Sequence, residues 1–215
     1  MDRRILILSG PTHEYIDPVR FIGNASSGLM GKAIAEEATR RGFTVDFITG
    51  PVCDANLPEL TDTGSIHRVV SANEMLETAR PLFDMADAVV FAAAVADYKP
   101  AEKQEQKRGS GEKEWMLRLS PNPDIAKTLC ANKREGQIAI GFALQTHDAE
   151  SNACRKLVEK NLDGIVLNSP SSLGAPDGTF SFLSVENDAF ESWGNTNKTD
   201  CAKRILDRIG IRLQP

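Results

Sequence analysis

This 215-residue sequence lacks most of the features that would place it quickly. No stretch is apolar for long enough to cross a membrane, and the apolar run after Met1 is too short for a signal peptide. No excess of positive charge exists: the formal net charge is −5, which argues against a general nucleic-acid surface. Any anion this chain meets must be handled by local cations. The four cysteines (Cys53, Cys130, Cys154, Cys201) form no CxxC pair and no Cys/His metal spacing, so reduced thiols in a cytoplasmic setting are expected. Neither standard phosphate fingerprint is present. Gly23 and Gly28 have the separation of a Walker loop, but Leu29 and Met30 stand where Lys and Ser/Thr are required, and Lys32 comes three positions late. Gly10-Pro11-Thr12 does not supply the G-x-G-x-x-G of a nicotinamide site.

What is present is ordinary for a globular protein: 41% hydrophobic and 26% charged residues. A chain of this size can bury roughly 70% of its unfolded surface and needs no staples. Apolar runs alternate with helical stripes. Ile5–Leu8, Thr44–Ile48, His67–Val70, Ala88–Ala94, Gln137–Phe142 and Gly164–Leu167 read as strands. Ser27–Arg41, Ala72–Met85 (capped by Ser71), a segment opened by Asn122 as cap with Pro123 first, Ala149–Asn161 and about Lys198–Arg208 read as helices. Thr179–Val185 is strand-like. No linker divides the chain, so one domain over 1–215 is expected. Continuously apolar strands alternating with helices imply an α/β fold with a parallel sheet covered on both faces. Ligands of such sheets sit beyond the carboxyl ends of the strands. The polar segments 9–26, 95–121, 122–125 and 142–148 fall there.

Segment 9–26 is unusual, because strand-to-helix loops are usually about 2–6 residues long. It runs into Ser26-Ser27-Gly28, where free helix N–H groups favour an anion; a simple cap is the alternative. Four ordered segments then carry a resemblance. "GPTHEYIDPVRFIGNASSGLMG" (10–31) is similar to GPTREPIDPVRFISNRSSGKMG of the phosphopantothenate–cysteine ligase family of coenzyme A biosynthesis. "AAAVADYKP" (92–100) resembles that family's AAVADYRP, "NPDI" (122–125) matches its motif, and "GFALQTHDAESNACRKLVEKNLDGIVLN" (141–168) resembles its GFAAET…KL..K..D.IVAN segment.

The resemblance implies a Rossmann-like three-layer fold with a long flap at about 97–121 and a small strand-containing extension at about 169–215. It implies the ligase unit alone, with no flavin expected and a functional link to a separate decarboxylase, whose association the sequence leaves open. The implied reaction joins 4′-phosphopantothenate to cysteine through an acyl-nucleotide, with CTP as co-substrate, Mg²⁺ as cofactor and pyrophosphate released. It also implies a homodimer. Metal ligands are not identified.

Residue roles follow from the resemblance. Asn24 would hold the acyl-nucleotide and donate to an acyl or phosphoryl oxygen; a left-handed loop asparagine is the alternative. Arg20 would contact phosphate bidentately, as against a solvated arginine. Phe91, Ala92, Ala93 and Ala94 would admit the nucleotide at a strand end, Asp97 would contact it, and Asn122, Pro123, Asp124 and Ile125 would frame the base. Phe142, Lys156 and Lys160 complete the nucleotide site; the two lysines, four residues apart, share one helix face, which is otherwise merely solvated. Ser26, Ser27 and Gly28 would hold phosphate. The family's KxKK flap motif falls on "KRGS" (107–110): Lys107 is retained, while Gly109 and Ser110 replace lysines. Ala25 and Leu29 stand where the family has Arg and Lys, so a less cationic site is expected. Two other readings are a non-catalytic nucleotide-binding relative and a nicotinamide-linked reductase. The latter lacks a Tyr-x-x-x-Lys pair, since Val19 follows Tyr15 and Glu102 follows Tyr98 at that spacing.

Overall fold

The structure, a computed structural model, describes residues 3–107, 109, 114–144, 148–169, 174–187 and 189–213. Six parallel strands form the centre: β1 (Arg4–Ser9), β4 (Thr44–Thr49), β5 (Ser65–Arg68), β6 (Ala88–Phe91), β9 (Ile138–Leu144) and β10 (Gly164–Asn168). Their order is β10-β9-β6-β1-β4-β5. Winding therefore reverses between β1 and β6, which is the switch point of a Rossmann sheet. Two further strands, β11 (Asp177–Ser184) and β12 (Glu191–Asn197), add antiparallel beyond β10.

Strand alternation assigns the two faces. Ile5 and Ile7 of β1 pack with Ile34 of α1 (Leu29–Arg40) and Ile205 of α5 (Lys198–Arg212). Leu6 and Leu8 face α2 (Ala72–Met85), whose Met75 and Phe83 are fully buried. Leu129 of α3 (Ile125–Cys130) and Leu157 of α4 (Ala149–Glu159) join that second layer. The expected three layers are thus present, with α1 and α5 on one side. Ser71 accepts from the Glu74 amide and caps α2, as the sequence indicates.

Several boundaries differ from expectation. β5 begins two residues before His67, and α1 begins at Leu29 rather than Ser27, after Gly28 at φ +76°. The strand expected to reach Ala94 ends at Phe91; backbone bonds nevertheless continue beside β1, from Ala92 N to Leu8 O (2.9 Å) and from Ala94 N to Gly10 O (2.8 Å). α3 is capped by Asp124, not Asn122: the extended Asp124 accepts from the Lys127 amide through its carboxylate (3.1 Å), and Asn122–Pro123 lie outside the helix. The two segments without apolar runs each contain short antiparallel pairs. β2 (His13–Tyr15) pairs with β3 (Phe21–Gly23), and β7 (Tyr98–Pro100) pairs with β8 (Leu119–Pro121). Three-residue strands leave no periodicity to read.

α1 sits unusually close to β1. A Cβ at Gly31 would fall 2.4 Å from the Ser9 Cβ, and the Ser9 hydroxyl donates to the Gly28 carbonyl (3.2 Å). That approach brings the helix N-terminus to the end of the sheet. All four cysteines are unpaired, and burial pushes the thiols of Cys130 and Cys201 up to about 12. Among the described residues no helix is long and apolar enough to cross a membrane.

Candidate active site

Two cavities open at the carboxyl ends of the strands, around the switch point. The larger, about 440 Å³, is walled by Leu8, Phe91 and Ala93–Asp97 on the sheet side and by Asn122–Ala126 and α4 on the other. The smaller, about 150 Å³, lies over the α1 N-terminus, lined by Ser26–Gly31 with Asn168, Phe180 and Lys198 opposite. Ala93, Ala94, Phe142 and Leu144 border both, so the two chambers share one wall.

The structure brings most of the expected residues together. Asn24, Phe91, Ala93, Ala94, Asp97, Asn122, Pro123, Asp124, Ile125, Phe142, Lys156 and Lys160 all line the larger chamber. Ala92, Ser26, Ser27 and Gly28 line the smaller. Arg20 and Lys107 line neither. Arg20 is held on the β2–β3 hairpin by Asp17 (2.8 Å), and Lys107 is exposed on the flap. Arg108 and Ser110 of the flap motif lie outside the described residues.

Local geometry explains each placement. The Asn24 carboxamide donates to the carbonyls of Ala94 (3.2 Å) and Val95 (3.0 Å), tying the hairpin's exit to the loop after β6. Donation to a substrate oxygen therefore requires Asn24 to release a carbonyl, while its Oδ1 can accept as it stands. The Asn122 amide nitrogen donates to the Ala96 carbonyl (2.8 Å), but its buried Oδ1 has no hydrogen-bond partner. A buried acceptor without a donor carries a desolvation cost of about 1–3 kcal/mol, which a ligand N–H would relieve.

The two lysines of α4 differ. Lys160 is paired with Asp124 (2.9 Å) across the chamber mouth. Lys156 has no ion-pair partner among the described residues. Burial, then the like charge of Lys160, holds its ammonium below the ordinary lysine range, opposed by Asp97 and Asp124. Lys156 is thus the cation most in need of an anion here. Among the described residues no three acidic, His or Cys groups converge as a closed metal site. The carboxylates of Asp97 and Asp124 both line the larger chamber.

Lys198 is a site residue the sequence reading missed. It is the first residue of α5, capped by Asn197, and its ammonium donates to the Ala175 carbonyl. Burial lowers its pKa. The available signal was a lysine at the positive end of a helix dipole, a local choice that costs stability unless something else uses the charge.

Comparison with known proteins agrees with this architecture. The chain is 45% identical over 176 residues to a protein named cysteine/cysteine sulfinic acid decarboxylase from an unknown prokaryotic organism, covering 82% of this chain and 48% of that protein. It is 40% identical over 176 residues to the coenzyme A biosynthesis bifunctional protein CoaBC of Bacillus subtilis strain 168, covering 82% and 42%. The chain therefore spans less than half the length of these curated relatives. Its fold superposes on the crystal structure of the C-terminal domain of a coenzyme A biosynthesis bifunctional protein CoaBC with a TM-score of 0.82 and 34% identity, covering 98% and 95% of the two chains. The model of the DNA/pantothenate metabolism flavoprotein C-terminal domain matches residues 1–212, and this chain belongs to that family.

Proposed function

We propose that this chain is a phosphopantothenate–cysteine ligase, which activates the carboxylate of 4′-phosphopantothenate with a nucleoside triphosphate and then transfers the acyl group to cysteine. The observation that carries the reading is the convergence of the nucleotide-contact residues, from Phe91 to Lys160, on one chamber at the sheet's switch point, with Asn24 at its rim. A carboxylate is a poor electrophile. Attack of its oxygen on the α-phosphorus expels pyrophosphate and yields a mixed anhydride. The cysteine amine then attacks the acyl carbon, loses a proton and expels the nucleoside monophosphate. Both steps gather charge on oxygen, so fixed cations and backbone amides are the groups required. Lys156 and Lys160 meet the nucleotide, and Ser26–Gly28 at the α1 N-terminus bind an anionic group in the smaller chamber. Mg²⁺ on the triphosphate would supply further charge neutralisation. Asp97 and Asp124 are the chamber carboxylates suited to hold it.

CTP is the proposed nucleotide. The orphan Asn122 acceptor favours a base with an exocyclic amine over one with a carbonyl at that edge. The proposed assembly is a homodimer. Support comes from the two small hairpins, which expose Val19, Phe21, Tyr98 and Leu119. The ligated product would pass to a decarboxylase. The reading also places the protein in the cytoplasm.

Incubation with CTP, 4′-phosphopantothenate, cysteine and Mg²⁺, with pyrophosphate and ligated product followed together, tests the reading. Turnover that needs all four supports it, and CTP should exceed UTP. Nucleotide binding without turnover would favour a non-catalytic relative instead.

A further inference from the structure

The flap carries a tryptophan that its composition does not explain. This chain has two tryptophans. Trp193 is buried and stacks on Phe182 in the core. Trp115 instead stands half-buried in a charged, largely exposed segment. Its neighbour is Arg20: the guanidinium carbon lies 5.6 Å from the Trp115 ring centroid.

Arg20 is fixed from its other side by Asp17, whose side chain is 0% exposed. One carboxylate oxygen of Asp17 accepts from the amides of Val19 (2.8 Å) and Arg20 (2.9 Å), and the other accepts from the guanidinium (2.8 Å). A carboxylate removed from solvent and bonded this way orients its partner firmly. The ring contact is complementary. It covers the guanidinium face and takes none of the in-plane N–H donors that read a phosphate or carboxylate. The flap docks on the same hairpin at two more points: the Gln104 amide donates to the Ile16 carbonyl (2.8 Å), and Lys103 lies 5.7 Å from the Tyr15 ring centroid. Flap position and guanidinium orientation are therefore one coupled arrangement.

We infer that Trp115 is a positioning residue, which stacks on Arg20 and orients its guanidinium toward an anionic group of the substrate when the flap is docked. The inference rests on the ligase reading for what Arg20 does, and on the geometry alone for the contact. The stack substitutes geometrical order for part of the positive charge that Gly109 removes from the flap motif.

The test uses the full chain. In a Trp193→Phe background all tryptophan emission comes from Trp115. Arg20→Gln should raise acrylamide quenching of that emission about twofold or more, because the cation no longer covers the ring; unchanged quenching would overturn the contact. For pyrophosphate release from CTP and 4′-phosphopantothenate, Trp115→Leu should lower kcat/KM about tenfold and Trp115→Phe less than about threefold, the range of a partly desolvated cation–π contact. Trp115→Leu should have no further effect in an Arg20→Gln protein. If Arg20→Gln impairs release while Trp115→Leu does not, or if the two losses simply multiply, Trp115 does not act through Arg20. If Arg20→Gln itself leaves release unchanged, the role given to Arg20 fails. If the wild type releases no pyrophosphate, the ligase reading fails, and the quenching comparison still decides the contact.

Discussion

The side-chain amide of Asn24 donates to the carbonyl of Val95 at 3.0 Å, across the point where the sheet reverses its winding. One short contact thus joins the hairpin loop after β1 to the loop after β6. Both loops border the larger chamber, so this bond helps to hold its rim.

Asn24→Ala should still release pyrophosphate while forming little ligated product, as expected if the residue stabilises the acyl-nucleotide rather than its formation. Product and pyrophosphate measured in one reaction check this, and wild-type coupling would remove the role. Asn24→Asp should be worse for the fold than alanine. It sets a carboxylate oxygen against the Ala94 and Val95 carbonyls and should lower stability by about 1 kcal/mol more, since a lost donor becomes a repulsion. Chemical denaturation of both variants provides the comparison.

Nucleotide affinity should depend on pH through Lys156. Burial holds its pKa below the ordinary lysine value, and a bound anion favours the protonated form. Affinity is therefore complete below the pKa of the free protein, falls as pH rises through it, and does so at lower pH than an unperturbed lysine would. Calorimetric titration with CTP from about pH 7 to 10 covers the window. Lys156→Met should weaken binding at neutral pH by about tenfold or more and flatten the profile, given about 1.5–3 kcal/mol for a charge-assisted contact. An unchanged slope in that variant would assign the titration elsewhere.

Gly31→Ala should destabilise the protein by about 1–3 kcal/mol despite alanine's better helix propensity, because the new methyl overlaps the Ser9 side chain. Ser9→Gly removes the obstacle but also the bond to the Gly28 carbonyl. The double variant should be more stable than the sum of the single losses predicts. Strict additivity in a denaturation cycle would mean that α1 can shift freely away from β1.

On the flap, Lys107→Gln should lower the rate of carboxylate activation by at least about tenfold, and Lys103→Gln by less than about threefold, one decade being about 1.4 kcal/mol. Lys107 matches the retained lysine of the family motif, whereas Lys103 packs against Tyr15 and helps dock the flap. Pre-steady-state pyrophosphate release separates them. Equal losses would reduce the flap to a diffuse positive field.

The sequence by itself determined the layers of this protein. Ile5–Leu8, Ala88–Phe91 and Gly164–Leu167 are apolar on both faces, and only a sheet covered on both sides accepts such runs. It also determined α2 with its Ser71 cap, and its motifs pointed to twelve of the residues that line the larger chamber. Tertiary structure decided the rest. β2, β3, β7 and β8 are three residues each, and β12 is polar with Gly194 at φ +69°, so their pairing depends on partners rather than on pattern. The pairs that give the site its electrostatics join residues far apart in the chain: Lys160 with Asp124, Trp115 with Arg20. Local periodicity reports which way a side chain faces. Which opposite charge or ring it meets depends on how the sheet winds, and that is a property of the folded chain as a whole.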